Sequence, residues 1–195
     1  MTHRLMVVAA TVALLGGAMV AQDAKPVRVV IETAAGEIEA EIDTVRAPIT
    51  GANFLKYVDA GLFDGGRFFR TVRPDNQVDK PVRIAVIQAA ASRDRRAEFF
   101  PAIPLERTST TGVPHKDGTL SMARSTPDTA RDSFSICVGD QPDLDFGGKR
   151  QPDGQGFAAF GQVVRGMDVV RTIQMGPANG ETLTPEVAIV RVRRK

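Results

Sequence analysis

Hydrophobic and polar positions alternate most cleanly between Glu37 and Asp43. There Ile38, Ala40 and Ile42 fall on one side and Glu37, Glu39, Glu41 and Asp43 on the other. That is the period of a strand with one core face and one wet face. Val27 to Thr33 carries a second strand signal, and the three residues Ala34-Ala35-Gly36 predict a hairpin, because Gly adopts the left-handed backbone that such loops need. Side chains two apart on a strand diverge, so the acidic row is expected to be a solvated outer face and not a metal site.

The period then changes. Pro48 suits the first position of a helix and Gly61 the residue after its end, with Ala52, Phe54, Leu55 and Val58 forming the apolar face between them. Asp64-Gly65-Gly66 turns the chain into a strand from Arg67 to Val72. Pro74 to Pro81 is a polar loop, and strand character resumes from Val82 to Gln88. Ala91 to Gly118 is rich in Pro, Thr, Ser and charge, which predicts a long surface excursion with Arg93-Asp94-Arg95-Arg96 solvated. Leu120 to Ala123, Phe134 to Val138 and Phe157 to Val164 are short apolar strands, the last preceded by a Gly-rich acidic loop from Asp140 to Gly156. Met167, Val170 and Ile173 give a second helix, and Val187 to Val192 a closing strand. About eight strands without strand-helix alternation cannot make a parallel sheet. The pattern predicts a mainly β fold, an eight-stranded antiparallel closed barrel capped by two short α-helices.

Ahead of these elements, Met1 to Ala21 runs from His3 and Arg4 through a nearly unbroken apolar stretch, Leu5 to Val20, to the polar Gln22-Asp23-Ala24-Lys25. This predicts a signal peptide over 1–21, cleaved after Ala18 or Ala21, and leaves 26–195 as one domain. The stretch is slightly short for an uncleaved anchor. Periplasm or the extracellular space is the expected location, with no stable membrane insertion once the leader is gone.

Composition narrows the chemistry. With a net charge of +2 and Lys/Arg interspersed with Asp/Glu except at the RVRRK tail, no nucleic-acid stripe stands out. Cys137 is the one cysteine and is expected to pack as a small hydrophobe. Beyond the leader His115 is the only histidine, which excludes a His-based metal cluster. A Ser-His-Asp triad would have to run through His115 in the loop GVPHKDG, and no nucleophile-elbow sequence supports one. Neither metal nor cofactor is expected.

Five segments in order carry a family resemblance from about Val27 to Val192. GEIEAEI, followed by APITGANFLKYVDAGLFDGGRFFR, and then HKDGTLSMA, SFSICVGD and FAAFGQVVRGMDVV resemble the first hairpin, first helix, catalytic strand and later core strands of cyclophilins. The resemblance implies a peptidyl-prolyl cis-trans isomerase acting on proline-containing segments of unfolded or flexible proteins. A barrel of this fold that binds proline peptides without turnover is the alternative.

On this resemblance Arg70 is the catalytic arginine and Gln88 the glutamine that holds the substrate backbone. The substrate groove takes in Val86, Met122, Ala123, Arg124 (where relatives usually have asparagine), Ser135, Leu144 and Phe157. Three positions depart from the pattern: Ser135 and Ala85 replace pocket phenylalanines, and Asp143 replaces a tryptophan or phenylalanine. Ala89-Ala90 also replaces two glycines. A slow or narrow-specificity enzyme is therefore expected, unless Phe134, Phe157 or the loop inserted after Arg70 rebuilds the wall.

Overall fold

A computed structural model describes residues 26–78 and 80–195. The predicted leader, 1–21, lies outside the described residues.

Strands β1 (Val27–Thr33) and β2 (Gly36–Ile42) pair antiparallel with Thr33 opposite Gly36. The hairpin loop is thus two residues, Ala34 and Ala35, not three. The Thr33 hydroxyl donates to the Gly36 carbonyl at 2.7 Å and closes it. Ile38, Ala40 and Ile42 are fully buried as the alternation requires. Glu39 is not wet, however: it is 4% exposed. Lys195 from the chain end donates to it at 2.8 Å and Arg165 from across the sheet forms a second ion pair, so two cations cover a carboxylate that the period assigns to solvent.

Helix α1 (Pro48–Asp59) buries Phe54, Leu55, Tyr57 and Val58 together with Thr50, Gly51 and Asn53. Ala52 is exposed, which corrects the predicted face. The reason is the aromatic core beneath the helix. The Phe54 ring lies 5.1 Å from Phe63, 5.3 Å from Phe134 and 5.2 Å from Phe160, mixing tilted and edge-on contacts that favour aromatic pairs. The helix rotates to aim that ring inward, and Ala52 is carried out.

The remaining elements are β3 (Arg67–Val72), β4 (Val86–Ala90), α2 (Thr108–Thr111), β5 (Thr119–Met122), β6 (Ser133–Cys137), β7 (Ala158–Arg165), α3 (Met167–Gln174), β8 (Ala178–Asn179) and β9 (Thr182–Arg194). All pairings are antiparallel, in the order β1-β2-β7-β5-β6-β4-β3-β9, and β9 returns to β1 to close an eight-stranded barrel. The two-residue β8 adds a hairpin on β9. Closure leaves no long open edge.

Strand β4 begins at Val86, not Val82. Upstream of it, side chains satisfy the backbone that a neighbouring strand otherwise would. Gln77 accepts from Ile84 N–H at 3.1 Å and donates to its carbonyl at 2.7 Å, and Gln141 accepts from Ala85 N–H at 3.0 Å. The long excursion is likewise more ordered than its composition suggests. A 3-10 turn over Arg93–Glu98 anchors Arg95 to Glu98 and to the carbonyls of Ala60 and Gly61, and Phe99 and Phe100 pack edge-on against Tyr57. Among the described residues no helix is long and apolar enough to cross a membrane.

Candidate active site

Strand register assembles the site before any loop contributes. Arg70 on β3 lies opposite Gln88 on β4, Gln88 opposite Ser135 on β6, and Ser135 opposite Ser121 on β5. These four polar residues form one row across four adjacent strands. Two residues along, Val72, Val86 and Cys137 form a parallel apolar row. Because side chains alternate along a strand, both rows face outward, while Ile87, Phe134, Ile136 and Leu120 fill the barrel, joined by Phe68, which a bulge between Phe68 and Arg70 turns inward. Ile84, Leu144 and Phe157 pack onto the apolar row to make a second hydrophobic cluster outside the barrel.

Polar row and apolar cluster together line a groove with a cavity volume of about 480 Å³. Every residue that the sequence nominated is there: Arg70, Val86, Gln88, Met122, Ala123, Arg124, Ser135, Leu144 and Phe157. Met122 differs in kind, since its side chain belongs to the barrel core and only borders the groove.

Arg70 is fixed on both sides. Its Nη1 donates to Gln88 Oε1 at 2.9 Å and its Nε to Glu181 Oε2 at 2.8 Å, while Nη2 also binds Glu181. Gln88 is oriented in turn, its Nε2 donating to Ser133 Oγ at 3.0 Å. The guanidinium is thereby held in one plane with one N–H on each terminal nitrogen uncommitted. Glu181 sits where the turn between β8 and β9 delivers it, and its carbonyl accepts from Thr71 N–H at 2.9 Å.

Arg124 acts on the loop instead of the groove. Its terminal nitrogens grip Asp153 at 2.8 and 2.9 Å, its Nε donates to the Gly156 carbonyl at 2.8 Å, and its guanidinium lies over the Phe157 ring, 5.2 Å from the centroid. This clamp fixes Phe157 as a wall of the groove. Gly156 must stay small and left-handed (φ +64°), because a Cβ there would lie 2.5 Å from the Asp145 carbonyl carbon.

Of the three departures, only Ser135 opens into the groove. Asp143 organises a turn: its Oδ1 accepts from Lys149 N–H at 3.3 Å and its carbonyl from Arg150 N–H at 3.1 Å. Ala85 is held by its backbone to Gln141 and Val138. Phe134 cannot refill the wall, since it is wholly buried inside the barrel against Phe54, Phe63 and Phe68. The inserted loop contributes Pro81, Val82 and Ile84 to the adjoining stretch of the groove and leaves the place beside Ser135 open.

His115 links two site elements. Its Nδ1 lies 2.7 Å from Asp145 Oδ1 and its Nε2 2.8 Å from Ser121 Oγ. A Ser-His-Asp chain therefore exists. Ser121 is only 3% exposed and sits within a central strand with no sharp turn to present it, so the chain braces the groove floor to the segment carrying Leu144. Burial pushes the Asp145 carboxyl up, but hydrogen bonds from the His115 ring and backbone outweigh this and hold it below the usual carboxylate range. Burial pushes the Cys137 thiol far up, which removes thiolate chemistry at the apolar row.

Glu181, Ile84, Arg150 and the His115 brace were not legible in the sequence. Glu181 is 111 residues from its partner Arg70, and nothing in ANGETL marks it as anything but a turn.

The family model for cyclophilin-type peptidyl-prolyl cis-trans isomerases matches residues 28–194. A peptidyl-prolyl cis-trans isomerase of Acinetobacter baylyi is 33% identical over 168 residues, covering 85% of this chain and 82% of that protein. A crystal structure of a Cryptosporidium parvum cyclophilin type peptidyl-prolyl cis-trans isomerase matches with a TM-score of 0.66 at 17% identity, covering 87% of this chain and 98% of its own. A second structure of it, in the presence of the dipeptide Ala-Pro, gives 0.64 at 19%, covering 86% of this chain and 98% of its own. This chain belongs to the cyclophilin-type peptidyl-prolyl cis-trans isomerase family. Its activity is the interconversion of cis and trans X-Pro bonds.

Proposed function

We propose that the chain is exported and twists X-Pro bonds in unfolded or flexible segments of other proteins, with Arg70 and Gln88 as the groups that act on the peptide. The observation that carries this reading is the fixed guanidinium of Arg70 beside an apolar floor of Val86, Leu144 and Phe157.

Rotation about an X-Pro bond is slow because amide resonance must be lost, a barrier of about 20 kcal/mol. No covalent bond is made or broken. The enzyme has only to bind the twisted amide better than either planar form. On twisting, the prolyl nitrogen regains its lone pair and becomes an acceptor. A guanidinium N–H already aimed there stabilises that state alone, with no reorganisation at the moment of rotation. In this scheme the prolyl ring rests on the apolar floor and Gln88 steadies the substrate backbone while the preceding carbonyl swings.

Export is supported by the sequence of 1–21, positive at its start, apolar through Val20 and polar from Gln22. N-terminal sequencing of the protein recovered from the producing cell tests it. A first residue between Met19 and Lys25 is expected, and an intact Met1 in the membrane fraction would replace export by anchoring. For the site, the test is isomerisation of short X-Pro peptides by wild type and Arg70→Ala. A folded Arg70→Ala variant of unchanged rate removes Arg70 from the mechanism.

A further inference from the structure

The two loops that roof the groove carry charge that bond rotation does not use. Five cations border the cavity, Arg70, Lys80, Arg124, Lys149 and Arg150, and no carboxylate of the described residues lines it. Two of the five are neutralised in place, Arg70 by Glu181 and Arg124 by Asp153. Lys80 lies on the inserted loop, whereas Lys149 and Arg150 are neighbours on the 146–156 loop. Among the described residues no carboxylate oxygen forms an ion pair with either, and Asp143 beside them turns its Oδ1 to the backbone N–H of Lys149.

Arg150 is the more telling of the pair. It is half-buried, yet its hydrogen bonds are to neutral acceptors only, Nη1 to Gln77 Oε1 at 2.8 Å and to the Val82 carbonyl at 2.7 Å. Its Nε and Nη2 donate to none of the described residues. The same two bonds tie the 146–156 loop to the inserted loop, so Lys149 and Arg150 stand beside Pro81 and Val82 at one wall of the groove. Burial, and after it the like charge of Arg70, hold the Arg150 guanidinium below its usual range. Arg70 and Arg150 line the same groove, and Glu181, the partner of Arg70, offsets part of that repulsion without bonding to Arg150. A half-buried guanidinium with no carboxylate in contact is costly, and a substrate carboxylate would lower that cost on binding.

We infer that Lys149 and Arg150 form a subsite for a carboxylate side chain flanking the substrate proline, so that acidic X-Pro segments are the preferred substrates. This rests on the prolyl-isomerase reading of the groove. Arg124, already clamped on Asp153, takes no part, and Arg70 keeps its Glu181 partner.

The experiment is a kcat/KM comparison on two peptide series, Ala-X-Pro-Phe and Ala-Ala-Pro-X, with X as Glu, Gln or Lys. A pair of partly exposed cations facing one carboxylate should favour Glu over its isostere Gln by about three-fold to ten-fold in one series, with Lys below Gln. The preference should shrink in high salt, because exposed charges are screened. The Glu-to-Gln ratio should fall towards one in Arg150→Gln. Since Arg150 also ties two loops together, Lys149→Gln, at an exposed position, supplies a second variant in which a partial fall is expected. A ratio of one or less in both series overturns the subsite, and so does a ratio that survives both substitutions. Absence of turnover on the Gln peptides would instead overturn the isomerase reading. In that case calorimetric affinities for the Glu and Gln peptides decide the subsite by the same ratio.

Discussion

At the scale of single residues, the proposed function makes the wall opposite Phe157 decide how well the groove holds a prolyl ring. Ser135 exposes a hydroxyl where a large apolar side chain would close the groove, and Ile84 with Pro81 and Val82 covers only the adjoining stretch. One missing aromatic contact forfeits roughly 1.5 to 3 kcal/mol, or about ten-fold to a hundred-fold in kcat/KM. Ser135→Phe should therefore raise kcat/KM on small X-Pro peptides. A Ser135→Phe enzyme slower than wild type would mean that the inserted loop already forms the complete wall. Glu181→Gln gives a separate prediction. It keeps a hydrogen bond to Arg70 but removes the charge that fixes the guanidinium, so kcat should fall more than KM rises, whereas a role in stability alone would move the melting temperature and leave kcat in place. Arg70 and Gln88 were legible because each lies inside a recognisable strand segment. Glu181 was not, because a side chain delivered by a distant turn leaves no local pattern.

Individual elements obeyed the hydrophobic period where one face is core and broke it where long side chains intervene. The strands β1, β3, β6 and β7 lie within a residue or two of their predicted limits. Glu39 was misassigned because Arg165 and Lys195 lie over it, an arrangement that needs the closed barrel and the chain end together. Helix α1 was placed correctly, and Phe54, Leu55 and Val58 of its predicted face are buried, but Ala52 is not, since the rule of spacing weights Ala52 equally with Phe54, and the aromatic core does not. Phe54→Ala tests that account. It removes the ring that joins Phe63, Phe134 and Phe160 and should cost about 3 to 5 kcal/mol of stability by denaturant titration. Ala52→Ser at the neighbouring exposed position should change it by less than about 1 kcal/mol. Equal effects at the two positions would contradict the observed orientation of the helix.

At the scale of the whole molecule, paired carboxyl groups predict a loss of stability in acid. Among the described residues eight carboxyl groups, Glu32, Glu39, Asp43, Asp59, Glu98, Asp140, Asp145 and Asp153, are held below their usual range, and Asp132 alone is raised, by burial. A carboxyl depressed in the fold stabilises fully above its unfolded value, near about 4, and loses that contribution as pH falls through the folded value. Asp132 acts in the opposite sense and is outnumbered. The denaturant midpoint should fall steadily below about pH 4, and a midpoint that holds or rises there would show that these pairs add nothing. The barrel's closure was legible from strand count and lack of helix alternation. The two loops that roof the groove were not, because their order comes from Gln77, Arg124 and Arg150 reaching across loops, without any period of their own.

The central claim is that a guanidinium fixed by Glu181 and Gln88 stabilises the twisted amide. Its most direct test is the isomerisation rate of one X-Pro peptide, followed by NMR exchange, with wild type, Arg70→Ala and Arg70→Lys at matched folded concentration. Losing a preorganised donor that acts in the transition state should raise the barrier by about 2 to 4 kcal/mol, and lysine should rescue little of it, because a point ammonium lacks the planar fork that both partners grip. Wild-type rates in folded Arg70→Ala, or full rescue by lysine, would contradict the account.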